Sequence, residues 1–171
     1  GQAVDTFQVY ELTSGTVGAW GNPTTTGETN NNFTNPTNAY SSNDSVAVAN
    51  AQEDKQDYGD FGLSVTAGAT ILGIQIQVEA DSDTGSQTLG VELSWDNGTT
   101  WTTQKTVGIT NIANRYVVLG RADSTWGRTW SASEFADTAF RVRLHYVTET
   151  GTLREINIDH VQARVVYEVT G

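Results

Sequence analysis

The sequence predicts a single all-β domain, an antiparallel β-sandwich or jelly roll. Three observations carry that prediction. Apolar residues recur with a period of two in several short stretches, the pattern of a strand with one face in a core and one in water. Those stretches are separated by Gly, Asn, Asp and Thr, residues suited to tight turns. No long segment has a 3.6-residue period, so the crossover helices of a parallel α/β fold are missing. A chain of 171 residues forms one domain that buries roughly 70% of its unfolded surface.

Taken in order, the first strand candidate is Thr6–Leu12. The stretch Thr13–Asn38 that follows is rich in Thr, Asn and Gly, with few core-forming residues beyond Val17, Trp20 and Phe33. Residues 1–38 therefore read as an N-terminal strand and arm, and residues 39–171 as the sandwich body. The arm either folds back over its own sandwich or delivers Phe7, Val9 and Leu12 to the open sheet edge of a neighbouring copy. Ser45–Ala49 and Tyr58–Leu63 come next. Ile74, Ile76, Val78 and Ala80 then alternate with Gln75, Gln77 and Glu79, and Leu89, Val91 and Leu93 repeat the pattern. Tyr116–Leu119 is a short candidate. Ser131, followed by Glu134, makes a capping box that starts one helical turn, pinned to the core by Phe135. Phe140, Val142, Leu144 and Tyr146 alternate with Arg141, Arg143 and His145. In the last strand Ile156 and Ile158 have one parity and Val161, Ala163 and Val165 the other, which predicts a bulge near Asp159 and His160. Without the bulge, a buried Asp159 would need a charged or hydrogen-bonding partner, with Arg141, Arg143 or Arg164 as candidates.

The most specific local motif is Ser94-Trp95-Asp96-Asn97-Gly98-Thr99-Thr100-Trp101. Asn97 and Gly98 lie between the strand-like stretches 91–94 and 101–104 and tolerate positive φ, as a tight hairpin requires. Asp96 is placed to accept hydrogen bonds from backbone N–H groups just ahead of it, and Trp101 to lie over the turn. The pattern resembles the Asp-box hairpin of sialidases and other extracellular β proteins. Here it occurs once, without the repeated blades of a propeller, and it reads as a structural brace. Asp96→Ala is then expected to weaken the fold and leave ligand binding intact.

Composition narrows the function. Nine Lys and Arg stand against twenty Asp and Glu, a net charge of −11, which repels phosphate backbones and argues against nucleic-acid binding. The absence of Cys and Met removes thiol chemistry and suits an oxidising, extracellular or particle setting, and Gly1 reads as a processed start. No apolar run approaches the ~20 residues of a membrane span. There is no nucleophile elbow, no phosphate-binding glycine loop, and no metal-ligand spacing around His145 and His160, so no catalytic residues are assigned and the chain is read as no enzyme. Calcium is the one cofactor the sequence leaves open. Asp81 and Asp83 precede Gly85 as in the start of a calcium loop, without its closing glutamate. Glu53, Asp54, Asp57 and Asp60 form a second acidic cluster. Among the five tryptophans, Trp20, Trp126 and Trp130 are candidates for stacking on sugars, Trp95 and Trp101 being assigned to the hairpin.

Three stretches together, 69–80, Trp126–Trp130 and 158–167, with the hairpin between them, resemble a β-sandwich module of phage virion proteins and bacterial surface or secreted proteins. The resemblance covers roughly Phe33–Val169 and implies structural or adhesive work, with no catalytic residues to transfer. The resulting expectation is a non-enzymatic subunit of an extracellular filament, pilus-like or virion assembly. Its partners would be identical subunits, each adding its N-terminal strand to a neighbour's sheet. The alternatives are a carbohydrate-binding surface module and a phage decoration or tail protein that docks rigidly on a lattice.

Overall fold

The computed structural model describes residues 15–27, 32–113, 115–148 and 154–169. The strand candidate Thr6–Leu12, with Phe7, Val9 and Leu12, lies outside the described residues. Among the described residues, ten strands form two antiparallel sheets. The first contains β1 (Thr16–Val17), β3 (Ala47–Ala49), β5 (Thr70–Ser82), β8 (Tyr116–Leu119) and β10 (Ile156–Glu168). β5 and β10 are paired along its centre, β8 flanks β5, and β1 and β3 share the far edge of β10. The second sheet has the order β2 (Thr25–Gly27), β4 (Lys55–Gly59), β9 (Arg141–Thr148), β6 (Ser86–Ser94) and β7 (Lys105–Thr110).

The inward faces are those given by the alternation. Ile74, Ile76 and Val78 of β5 stand opposite Val165, Ala163 and Val161 of β10. Leu89, Val91 and Leu93 of β6 stand opposite Tyr146, Leu144 and Val142 of β9. All twelve side chains join one hydrophobic core shared by the two sheets, the burial that drives a sandwich to form. Tyr58 is fully buried in the same core, and burial pushes its phenol far above the ordinary value, so it stays neutral. Its hydroxyl donates to the Pro36 carbonyl (2.9 Å) on a short 3₁₀ helix, Pro36–Tyr40.

The bulge in β10 lies between Ile158 and His160, and the extra residue is what lets Ile156, Ile158, Val161 and Ala163 all reach the core. Asp159 meets no arginine. Its carboxylate accepts the backbone N–H groups of Asn43 and Asp44 at 3.0 and 3.1 Å, because a loop two residues after the 3₁₀ helix passes the bulge. His160 is buried beside it, with Nε2 2.9 Å from Asn22 Oδ1. Burial holds its imidazole below the ordinary 6.5, against the opposing pull of Glu79 and Asp159. An unfolded chain then takes up that proton first, so stability is complete above pH 6.5 and falls as the pH drops toward the depressed folded value. The melting temperature should decline as the pH falls below about 6.5, more steeply than in His160→Gln. Parallel curves for the two proteins would rule out His160 as the source.

Three local differences from the sequence reading have physical causes. Residues 15–27 and 32–38 follow the first of the two readings of the arm and fold back on their own sandwich, with more regular pairing than a loop. β1 and the Gly21–Ala163 bridge line the edge of β10, β2 pairs with β4, and Phe33 is buried. Backbone hydrogen bonds, which need no apolar pattern, carry most of this attachment. The strand expected over Tyr58–Leu63 is instead Lys55–Gly59, because Asp60 and Gly62 turn the backbone to positive φ. Residues 101–104 are irregular, with β7 beginning at Lys105. The capping box does form around Ala132–Phe135, with the Ser131 N–H donating to Glu134 Oε1 at 2.8 Å and Phe135 buried. Among the described residues no helix is long and apolar enough to cross a membrane.

Candidate functional site

Two of the three tryptophans proposed as sugar platforms offer no face to solvent. Trp126 is buried with its indole N–H donating to the Ile74 carbonyl (2.8 Å), and Trp130 is buried with its N–H on the Thr125 carbonyl (2.7 Å). Trp130 stacks on Phe135 at 5.2 Å and meets Trp95 and Phe140 edge-on. Arg128 lies 3.9 Å from the Trp95 centroid and 4.5 Å from that of Trp130, fastened by Glu134. Large aromatic rings in turns fill the ends of a sandwich core. Trp20 is half-buried, with the Arg164 guanidinium 4.4 Å over its ring.

The candidate site forms on the other face of β9. Because Val142 and Leu144 point inward, Arg141, Arg143 and His145 share the outer face of the second sheet. Register places Gly59, Asp57 and Lys55 of β4 beside them on one flank, and Ser94, Glu92 and Gly90 of β6 on the other. Arg143 makes a two-pronged ion pair with Glu92 (3.1 and 3.0 Å). Its guanidinium also lies 4.2 Å over the Trp101 ring. Arg141 Nε donates to Asp57 Oδ2 at 2.8 Å in a pair whose side chains are 11% and 9% exposed. The glycines make room: a Cβ at Gly59 would run into the Arg141 guanidinium, and one at Gly90 into the Gln104 side chain.

Asp57, Arg141 and Arg143 line a cavity of about 410 Å³, flanked on one side by Thr26 and Gly27 of β2 and on the other by Asn97, Gly98 and Trp101 of the hairpin. Within the hairpin, Ser94 Oγ donates to Asp96 Oδ1 (2.8 Å) and accepts the Gly98 N–H (2.9 Å), while the Thr100 N–H reaches Asp96 Oδ1 at 2.7 Å. Hydrogen bonds from Thr100 first, then from Ser94 and Thr99, hold the Asp96 carboxyl below its ordinary value. Asn97 and Gly98 both take positive φ. The brace is therefore also a wall of the cavity. Asp96→Ala is expected to loosen Asn97, Gly98 and Trp101 and weaken any ligand held there, contrary to the reading of the hairpin as remote from a ligand.

Among the described residues four buried side-chain polar atoms have no hydrogen-bond partner: Thr25 Oγ1, Asp57 Oδ1, Thr110 Oγ1 and His145 Nε2. His145 Nδ1 is engaged by Gln104 Oε1 at 2.8 Å, and Nε2 lies 3.4 Å from Glu53 Oε2 without hydrogen-bond alignment. A buried polar atom left unpaired costs about 1–3 kcal/mol, so Asp57 Oδ1, on the one of these residues that lines the cavity, marks a place where an incoming group supplies the missing bond.

The calcium candidates do not converge in this way. Asp81 and Asp83 both accept from the Asn157 amide (2.9 and 3.0 Å). Glu155 nearby is pushed above its ordinary value by burial and by Asp83. Among the described residues no group of three or more His, Asp or Glu is arranged to hold a metal ion. A second, acidic cavity of about 290 Å³ has Asp44, Glu79, Asp81 and Asp159 in its wall, but Glu79 accepts from Ser42, and Asp81 and Asp159 from the donors given above.

The sequence matches no protein-family profile and no curated protein. Among solved structures, one described as "CBM4 structure and function" is 17% identical over 72% of each chain, with a TM-score of 0.42. A truncated AlyQ with CBM32 and alginate lyase domains aligns over 90% of this chain and 34% of its own, at 13% identity and a TM-score of 0.49. CBM35 from Paenibacillus barcinonensis aligns over 92% of this chain and 94% of its own, at 10% identity and a TM-score of 0.38. The chain spans about a third of the AlyQ chain. All three likenesses are weak, and the chemistry of the cavity rests on its own side chains.

Proposed function

We propose that this chain is a carbohydrate-binding module whose ligand lies on the outer face of the second sheet. The observation that carries the reading is the unpartnered Asp57 Oδ1 in the wall of a cavity that also holds an indole and two guanidinium groups. Sugars need that combination: an aromatic surface for C–H faces, and fixed donors and acceptors for hydroxyls. Asp57 accepts, Arg141 and Arg143 donate, and Trp101 supplies apolar area. Their ion pairs and the glycines beneath them hold these groups in place before a ligand arrives, which limits the ordering cost of binding.

The filament or virion reading has less to support it. Phe7, Val9 and Leu12 lie outside the described residues, and the stretch that would lead them to a neighbour, residues 16–21, is hydrogen-bonded to its own β10. Calorimetric titration against a panel of soluble polysaccharides tests the proposal. At least one should bind, and Trp101→Ala and Asp57→Asn should each weaken it about tenfold or more while Trp20→Ala leaves it unchanged. Binding that survives both cavity variants but is lost in Trp20→Ala would move the site to the first sheet.

A further inference from the structure

The charge arrangement around the cavity bears on which glycans fit, and this inference rests on the carbohydrate-binding reading above. The outer face of the second sheet carries three cations, Lys55, Arg141 and Arg143, and three carboxylates, Glu53, Asp57 and Glu92. Both guanidinium groups in the cavity wall are already matched: Arg143 by both Glu92 oxygens and Arg141 by Asp57 at 2.8 Å. Neither is left as an uncompensated positive charge, and the surrounding chain carries a net charge of −11. A polyuronate entering this cavity meets acceptors where it needs donors, and a repulsive field outside.

We infer that the site selects uncharged glycans, with Asp57 and Arg141 acting together as an acceptor–donor clamp on neighbouring hydroxyl groups. Asp57 has one oxygen on Arg141 Nε and one without a partner. The torsion that turns a carboxylate about its last bond is soft and nearly two-fold, so either oxygen can hold Arg141 while the other accepts a ligand hydroxyl. Arg141 then donates to the oxygen of the adjacent hydroxyl through the remaining edge of its guanidinium, whose five N–H groups point in fixed directions. A carboxylate ligand satisfies Arg141 but leaves Asp57 facing a like charge. An alcohol satisfies both. In this scheme Glu92 is a positioning and selectivity residue, because it cancels the charge of Arg143 and holds that side chain against Trp101.

The experiment compares neutral polysaccharides (arabinoxylan, mixed-linkage β-glucan, galactan) with polyuronates (alginate, polygalacturonate) by titration at about 50 and 500 mM salt. The wild-type protein should bind a neutral polymer with an affinity that salt barely changes, and no polyuronate. Glu92→Gln frees one positive charge and should gain polyuronate binding by about tenfold, lost again at high salt. Asp57→Asn should lose the neutral ligand and likewise gain the polyuronate. Wild-type preference for polyuronates, or neutral binding that falls steeply with salt, overturns the selectivity and leaves the carbohydrate-binding reading standing. Binding of neither class overturns both.

Discussion

Trp130→Ala is expected to lower folding stability by about 3–5 kcal/mol, the range for removing a buried tryptophan or phenylalanine. In a domain of this size that shifts the melting midpoint by roughly 10 °C. The indole is 4% exposed and touches Trp95, Phe135 and Phe140, so a cavity opens at the centre of an aromatic cluster and Arg128 loses one of its two rings. Trp126→Ala should behave alike, since it also strands the Ile74 carbonyl. Chemical denaturation reads the effect directly. A loss below about 1 kcal/mol would contradict the burial described for Trp130. Ligand binding, measured in the fraction that remains folded, should be unchanged, because neither ring lines the cavity.

Arg141→Met is expected to cost about 3–5 kcal/mol, because it leaves the buried Asp57 carboxylate without its counter-charge. The same change should abolish glycan binding by removing half of the proposed clamp. The double variant Asp57→Leu/Arg141→Met separates the two effects. Replacing both members of a buried pair with apolar groups is often close to neutral, so much of the lost stability should return while binding stays absent. If the double variant is as unstable as the single one, the destabilisation comes from lost packing of the arginine over Gly59 and not from the stranded charge. If the single variant binds normally, Arg141 is no part of the site.

Much of the architecture could be read directly from residue order. Strand alternation depends only on neighbours two positions apart, and it marked the core faces of β5, β6, β9 and β10. The parity change from Ile158 to Val161 marked the bulge for the same reason, and Asn97-Gly98 marked a turn whose φ values few other pairs adopt. Where the backbone carried the attachment, the pattern was silent. β1 and β2 are held by main-chain hydrogen bonds with little apolar side chain, so they looked like an arm.

The site was half legible. Arg141, Arg143 and His145 stood out as a polar parity on an apolar strand, and Asp57 belonged to a recognisable acidic cluster. Their meeting did not follow from either observation, since Asp57 and Arg141 are 84 positions apart and are joined only by the pairing of β4 with β9. The tryptophans show the same limit. Composition indicates that rings are available, but Trp126 and Trp130 sit in turns without a period, where exposure depends on which distant residues close over them. Local order thus settled the strands, the turn and the fold class, because those depend on short-range geometry and alternating hydrophobicity. Which side chains share a cavity, and that Trp101 rather than Trp126 or Trp130 lines it, depended on strand register and sheet packing, which bring together residues that the chain keeps far apart.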